Sequence, residues 1–338
     1  RIAVKAAFHR KVRVSRMNPK NEVKLIKVME LSNLKMTKAE IVSRKGGLRK
    51  GVLGLVAAYV SALIAAISVG FLLKNQHNLL IVLGADVAGT VIIFLFSRLF
   101  NNSSFYDPYW SVAPLAISFY LLFITDKITI YQIAITALVC AWGIRLTWNF
   151  LRGWRGLEHE DWRYVDFREK HGARYWPVSF WGIHLTPTII VYLGCLPLFP
   201  ALLSPSCESG WLAFVSVIVT TLAIWIEGAA DNQLRDFRRE NHGSAKILKS
   251  GLWGRVRHPN YLGEILFWWG IFLFGLSADL GSWPMIVGPV VITALFVFIS
   301  IPMIDKRMLR KRPEYAEHIA NVPAIIPRFK KLNRSEAT

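Results

Sequence analysis

Eight long apolar stretches constrain this chain more than any other feature. They run near 52–73, 79–100, 109–125, 129–150, 179–201, 211–230, 261–278 and 284–303, each close to the roughly 20 residues that a helix needs to cross a bilayer. The expected fold is therefore all-α: a polytopic integral membrane protein with about eight transmembrane helices. Two stretches fit the pattern least well. Residues 109–125 are short, and 179–201 are interrupted by Pro187 and Pro197.

Composition agrees with that reading. Hydrophobic residues make up 53% of the 338-residue chain, yet the formal net charge is +19. Mean hydropathy is +0.36. A soluble domain of this length has no core large enough for so much apolar surface. With eight spans, the N-terminus, 101–108, 151–178, 231–260 and the C-terminus share one side and carry nearly all the Lys and Arg, whereas the opposite loops offer Lys74 and Lys127. The positive-inside rule makes that side cytoplasmic and places both termini there. The membrane is the endoplasmic reticulum in a eukaryote and the inner membrane in a bacterium.

Residues 1–50 form a basic arm whose acids are Glu22, Glu30 and Glu40; residues 1–21 have none. A transit peptide has such a composition, but the arm is read as disordered and lying on anionic lipid. The chain begins at Arg1, which fits a fragment, a processed form or an extended gene model, so membership of residues 1–16 in the mature protein is left open. No nucleic-acid partner is expected. Cys140, Cys195 and Cys207 lack CxxC spacing, so neither a disulfide framework nor a zinc site is expected.

Two loops on the basic side are chemically dense. In the first, Arg145, Arg152 and Arg155 are spaced along one face of a helix leaving the membrane. Arg145 lies about two turns inside, where a lone arginine costs roughly 2.5–3.5 kcal/mol and needs a partner or a water-filled cavity. Arg152 and Arg155 fit snorkelling as well as a site role. Glu158-His159-Glu160-Asp161 is read as a solvated turn rather than a metal site, with Glu160 or Asp161 pairing to nearby arginines.

In the second loop Glu227, Asp231, Arg235 and Arg238 share one helix face, with Glu227 inside an apolar run. The order acid then base favours i,i+4 pairs. Asn241-His242-Gly243 signals a turn. Lys246, Lys249, Gly251, Arg255 and Arg257 follow, ahead of Pro259. Asn260 is placed to cap the next helix, whose free N–H groups, dipole and flanking arginines form an anion site. Glu264 lies a turn inside that helix. An intramembrane carboxylate marks a functional site, or else pairs with Arg145 or Arg257. Trp268 and Trp269 are read as interfacial or packing aromatics. Asp107, at the mouth of the third span beside Pro108, is either a helix N-terminal acid or a proton donor kept neutral by apolar surroundings.

Three segments together resemble a known family. Glu227-x3-Asp231-x-Gln233, the 251–264 string GLWGRVRHPNYLGE and the ending Tyr315…Ile325-Ile326-Pro327 resemble the steroid 5-alpha-reductase C-terminal domain family. Its multi-span branch also carries the segment WGIRLTWNFLRGWRGLEHEDWRY. The resemblance covers roughly 104–329. It leaves 51–103 as extra N-terminal membrane helices and 330–338 as a tail. Isoprenylcysteine carboxyl methyltransferases, more distantly similar, share the Arg-His-Pro-x-Tyr-x-Gly core and use S-adenosylmethionine.

The resemblance implies NADPH as cofactor, held by cytoplasmic loops. Asp231 and Arg238 reproduce the family's Asp and Arg spacing, Asn260 and Glu264 match its Asn-x3-Glu element near the nicotinamide, and Arg145 matches an arginine on the cofactor-facing helix. Arg155, Lys246, Arg257, His258, Tyr261 and Tyr315 complete the expected cofactor-binding set. The family holds its substrate carbonyl with a glutamate and a tyrosine, whose nearest matches are Asp107 and Trp142. With Tyr261 and Glu264 these are the expected catalytic residues. The implied activity is reduction of a conjugated C=C bond in a lipophilic, sterol-like or other lipid enone. An S-adenosylmethionine-dependent methyltransferase, with His258, Tyr261 and Tyr315 framing the cofactor, and a non-catalytic lipid-binding membrane protein are the alternatives. Substrate identity and oligomeric state are left open.

Overall fold

A computed structural model describes residues 38–204, 207–241 and 246–327. Residues 1–37 of the basic arm, His242 and Gly243 of the turn signal and the tail 330–338 lie outside the described residues. The described chain is helical, and it contains no strand.

Among the described residues, eight helices are long and apolar enough to cross a membrane: Gly47–Leu72, Asn78–Leu99, Ser103–Ile124, Ile130–Gly153, Trp162–Cys195, Gly210–Glu240, Pro259–Ala278 and Leu280–Lys311. They are called the first to eighth spans below. Large apolar side chains such as Phe123 (87% exposed) and Phe298 (75%) point away from the protein, as lipid-facing residues do.

The chain divides into two units, Arg1–Gly54 with Arg155–Glu158, and Leu55–Trp154 with His159–Thr338. In the first, Gly156 takes φ +89°, and a Cβ there would stand 3.0 Å from the Leu48 Cα, so both conformation and space require glycine. The helix of the first span already begins at Lys38, within the segment expected to be the basic arm.

Local signals explain the helix boundaries of the second unit. Thr129 and Gln132 form a capping box that starts the fourth span. Asp161 caps Trp162–His171 by accepting the Arg163 N–H. The fifth span thus begins at Trp162, well before the expected 179, and takes up part of the segment expected as a loop. Its Phe180–Leu185 portion winds as a π-helix ahead of Pro187. The 101–108 connection is likewise no solvated loop, because Ser103, Ser104 and Phe105 are buried. The sixth span ends at Glu240 with Asn241 as its C-cap, where the turn signal begins.

The sixth and seventh spans approach closely because two glycines face the partner. A Cβ on Gly263 would lie 2.6 Å from the Glu227 Cβ and 2.8 Å from the Ala223 oxygen, and one on Gly270 would lie 3.2 Å from the Thr220 Cα. Small residues of this kind let membrane helices pack backbone to backbone. Around that seam, Trp142, Phe267, Trp268, Ile271 and Phe274 are almost wholly buried.

Candidate functional site

The seventh span starts at Pro259 with His258 as N-cap and no side-chain cap. This corrects the expectation for Asn260: proline pre-set for the first helical position takes over the boundary, and Asn260 falls inside the first turn. Its side chain makes no hydrogen bond among the described residues. Glu264 lies a turn further on and is buried.

Three indoles surround the Glu264 carboxylate. Trp110 Nε1 and Trp268 Nε1 donate to Oε1 at 2.7 and 3.0 Å, and Trp142 Nε1 donates to Oε2 at 3.0 Å. The ring of Trp142 is fixed by stacking on Phe267, centroids 4.2 Å apart at 8°. The expected alternative ion pair of Glu264 with Arg145 or Arg257 is not formed, because both arginines are engaged elsewhere. Nor are both expected packing tryptophans inert: Trp268 is a donor to the acid, while Trp269 bonds Thr293. Trp110, at the start of the third span, has no distinguishing signal in the sequence and completes the cage. A carboxylate is acceptor-only, and Oε2 with a single donor keeps acceptor capacity.

Nearer the end of the sixth span, Arg145 bridges two acids. Its guanidinium lies 2.5 Å from Glu227 Oε2 and 3.0 Å from Asp231 Oδ2, which explains a glutamate within an apolar run. The Arg145 Nε has no hydrogen-bond partner. Asn149 links the next residues, donating to Asp231 Oδ2 at 3.1 Å and accepting from Arg235 at 2.6 Å. This bridge stands where a direct Asp231–Arg235 pair was expected. Asn149 had no distinguishing signal in the sequence beyond its place one turn after Arg145.

The basic strip after the sixth span is pinned back onto it. Leu252 N–H donates to Gln233 Oε1 at 3.0 Å and Trp253 Nε1 to the Ala230 oxygen at 3.0 Å. Phe237, Lys246, Ile247, Lys249 and Glu314 line an open cavity of about 400 Å³ there. Arg238 is exposed one residue from Phe237. Arg152 stacks on Trp148 at 5.8 Å. Arg155 is exposed and belongs to the first unit.

Asp107 stands in a separate group. Tyr164 donates its hydroxyl to Asp107 Oδ1 at 2.5 Å, Arg163 lies 3.6 Å from the same oxygen, and Arg163 also pairs with Asp161 at 2.7 Å. Glu160 pairs with Arg168 at 3.0 Å, so Glu160 and Asp161 both find arginines, as their neighbourhood suggested. Asp107 and Trp142 thus belong to different hydrogen-bonded groups. Tyr164, a phenol against an acid, went unremarked in the sequence. Tyr261 feels the charges of both Arg163 and Glu264, stacks on His258 at 5.6 Å, and its hydroxyl has no hydrogen-bond partner among the described residues.

Arg257, His258 and Tyr315 come together around Asp305. Their side chains lie 2.9, 3.0 and 3.1 Å from its carboxylate. Arg257 also donates to the Ile319 and Val322 oxygens, and the main-chain N–H groups of Arg257 and His258 bond Pro323 and Ala324. The group is a clamp that holds the C-terminal helix Tyr315–Asn321 on the start of the seventh span. Burial first, and then the Asp305 carboxylate, pushes the Tyr315 phenol well above its usual range.

The family described as "Protein of unknown function (DUF1295)" matches residues 93–322. Uncharacterized protein C594.04c of Schizosaccharomyces pombe is 27% identical over 203 residues, 53% of this chain and 59% of that protein. Steroid 5-alpha-reductase DET2 of Gossypium hirsutum is 32% identical over 60 residues, 18% of this chain and 23% of that protein. The chain thus spans less than two thirds of the length of either curated relative. No solved structure matches. The matched region holds the Glu264 cage, the Arg145 bridge and the Asp305 clamp, and the chain belongs to this DUF1295 family, which is associated with steroid 5-alpha-reductase-like proteins.

Proposed function

We propose that this protein is a membrane reductase that uses NADPH to reduce a conjugated C=C bond in a lipophilic, sterol-like or other lipid enone. The observation that carries the reading is the polar line along the sixth and seventh spans, from caged Glu264 through Glu227, Arg145 and Asp231 to exposed Arg238 and the cavity at Lys246 and Lys249. The partial similarity to a steroid 5-alpha-reductase supports it. The basic side of the membrane is cytoplasmic in this reading.

The residues fit the cofactor. Arg238, Lys246 and Lys249 present cations for its phosphates, and Phe237 offers an aromatic face beside them. The unpartnered Asn260 amide and Glu264 Oε2 have the donor and acceptor for a carboxamide, and Arg145 Nε is an unused donor. When bound there, NADPH would supply the hydride. Glu264 is kept in one orientation by its three indoles. Asp107, in its protonated form, donates to the substrate oxygen and polarises the carbonyl as charge develops on it, the effect that usually dominates such steps, while Tyr164 holds the acid in place. Tyr261, or water beside it, returns the proton to the α-carbon.

Thermal unfolding of the detergent-purified full chain with NADPH, NADH and S-adenosylmethionine tests the reading. A ligand at a hundred times its Kd stabilises the folded state by about 2.7 kcal/mol. A melting shift with NADPH that is lost in Arg238→Ala is expected. A shift with S-adenosylmethionine alone overturns it.

A further inference from the structure

A second buried polar group, away from the Glu264 line, lies where the second, third and fifth spans meet. Asp86 is inside the second span and buried. No cation pairs with it among the described residues, and its Oδ2 has no hydrogen-bond partner. Its neighbours from the packed spans are Tyr106 and Tyr109 on the third and Tyr192 and Cys195 on the fifth. All four are uncharged types at neutral pH.

The oxygen–oxygen contacts of this group are closely defined. The Tyr109 hydroxyl stands 2.8 Å from the Asp86 main-chain oxygen and 2.9 Å from Oδ1. Thr90 Oγ1 is 2.7 Å and the Tyr106 hydroxyl 2.8 Å from Thr188 Oγ1. Thr188 donates to the His184 main-chain oxygen at 2.9 Å. Gly89 admits the phenol, since a Cβ there would lie 2.5 Å from the Tyr109 hydroxyl.

Counting protons then decides the state of the acid. A hydroxyl has one proton to give and two lone pairs to accept with. The Thr188 proton is used on His184, so Thr90 and Tyr106 must both donate to Thr188. Tyr109 has one proton and two oxygen neighbours, Asp86 O and Asp86 Oδ1. An ionised Asp86 adds no proton, and lone pairs would face each other across hydrogen-bonding distances. A proton on Asp86 Oδ1, donated to Tyr109, resolves the contact and frees the Tyr109 proton for the main-chain oxygen. The orphaned Oδ2 agrees, because a buried carbonyl oxygen of a neutral acid costs far less than an unpaired buried charge.

We propose that Asp86 is an intramembrane proton-binding site, its carboxyl carrying a proton at neutral pH that is shared with the Tyr109 hydroxyl, beside the Thr90–Thr188–Tyr106 chain. The ligand is the proton itself, which needs no cavity. The site is independent of the reductase reading. Intramembrane acids that bind protons reversibly are the elements from which proton relays are built.

Infrared spectroscopy of the full chain in lipid at neutral pH tests it. The wild type minus Asp86→Asn difference spectrum is expected to show a lost carbonyl stretch of a protonated carboxylic acid. In Tyr109→Phe that stretch should persist but shift, having lost its acceptor. Loss of only carboxylate stretches in folded Asp86→Asn overturns the proposal. Should Asp86→Asn fail to fold, Tyr109→Phe decides: a shifted acid band supports the site, and an unshifted spectrum overturns it.

Discussion

The indole N–H of Trp142 on the fourth span donates to Oε2 of Glu264 on the seventh, at 3.0 Å, with both residues out of reach of water. A buried carboxylate normally takes a cation as partner. Here neutral donors from three spans serve, and the nearest guanidinium, that of Arg145, is held by Glu227 and Asp231. Removing one donor therefore removes a charge-assisted hydrogen bond without unmaking an ion pair. Trp142→Phe keeps the stack on Phe267 and should cost about 1.5–3 kcal/mol, read from chemical unfolding in detergent. Glu264→Gln should cost more, because its amide turns a second donor towards an indole N–H. If both variants unfold like wild type, the cage contributes nothing.

Arg145 neutralises two acids with one fork. Arg145→Ala leaves Glu227 and Asp231 buried without a cation and should destabilise the protein by roughly 3–5 kcal/mol, the range for breaking one side of a buried pair, reduced by the 20% exposure of the Arg145 side chain. Arg145→Lys should recover only part of this, since an ammonium lacks the planar fork that reaches both carboxylates. Adding Glu227→Gln to Arg145→Ala should restore part of the lost stability, since Asp231 still lacks its cation. A double variant no more stable than Arg145→Ala would show that the two residues are not coupled.

The eight spans, the intramembrane position of Glu264 and the embedded position of Arg145 are legible in the sequence, because hydropathy and a misplaced charge are local properties. Partner choice is not. Which neighbours reach Glu264 depends on how the third, fourth and seventh spans are rotated, and for the seventh span Gly263 and Gly270 fix the face turned to the sixth. Arg257, His258 and Tyr315 are expected from the resemblance as cofactor-binding residues, and the residue that gathers them, Asp305, lies on a different span and carries no signal in the sequence. Asp86 could have been found by the same reasoning as Glu264, as an acid within the 79–100 run. The start of the fifth span was missed because the polar helix Trp162–His171 has no apolar signal of its own.

Gly263 should tolerate no side chain. A Cβ there meets the Ala223 main-chain oxygen at 2.8 Å, and backbone cannot move aside as a flexible side chain can. Gly263→Ala should therefore cost about 1–3 kcal/mol, the usual penalty for overpacking. It should also displace Glu264 from its indoles, since both residues ride on one helical turn. Loss of tryptophan emission shifts sensitive to the Glu264 cage would register that displacement. An unchanged melting curve would mean that the two spans part easily.

The C-terminal clamp should respond to acid through His318. This side chain is buried beside Tyr315, with ring centroids 5.4 Å apart. Burial first, then the cations Lys249 and Arg257, holds its imidazole below the usual histidine value. The folded state therefore binds fewer protons at this position than the unfolded chain, and stability rises with pH wherever that difference exists. The contribution is complete above the ordinary histidine value, about 6.5, and is lost as pH falls from there through the lowered folded value. Limited proteolysis of the 312–327 segment should accelerate over that window in the wild type, as Arg257 loses its hold on the Ile319 and Val322 oxygens. His318→Gln, neutral at every pH, should be cleaved at a rate that does not change across the window. Parallel acceleration in both proteins would assign the acid sensitivity to another group.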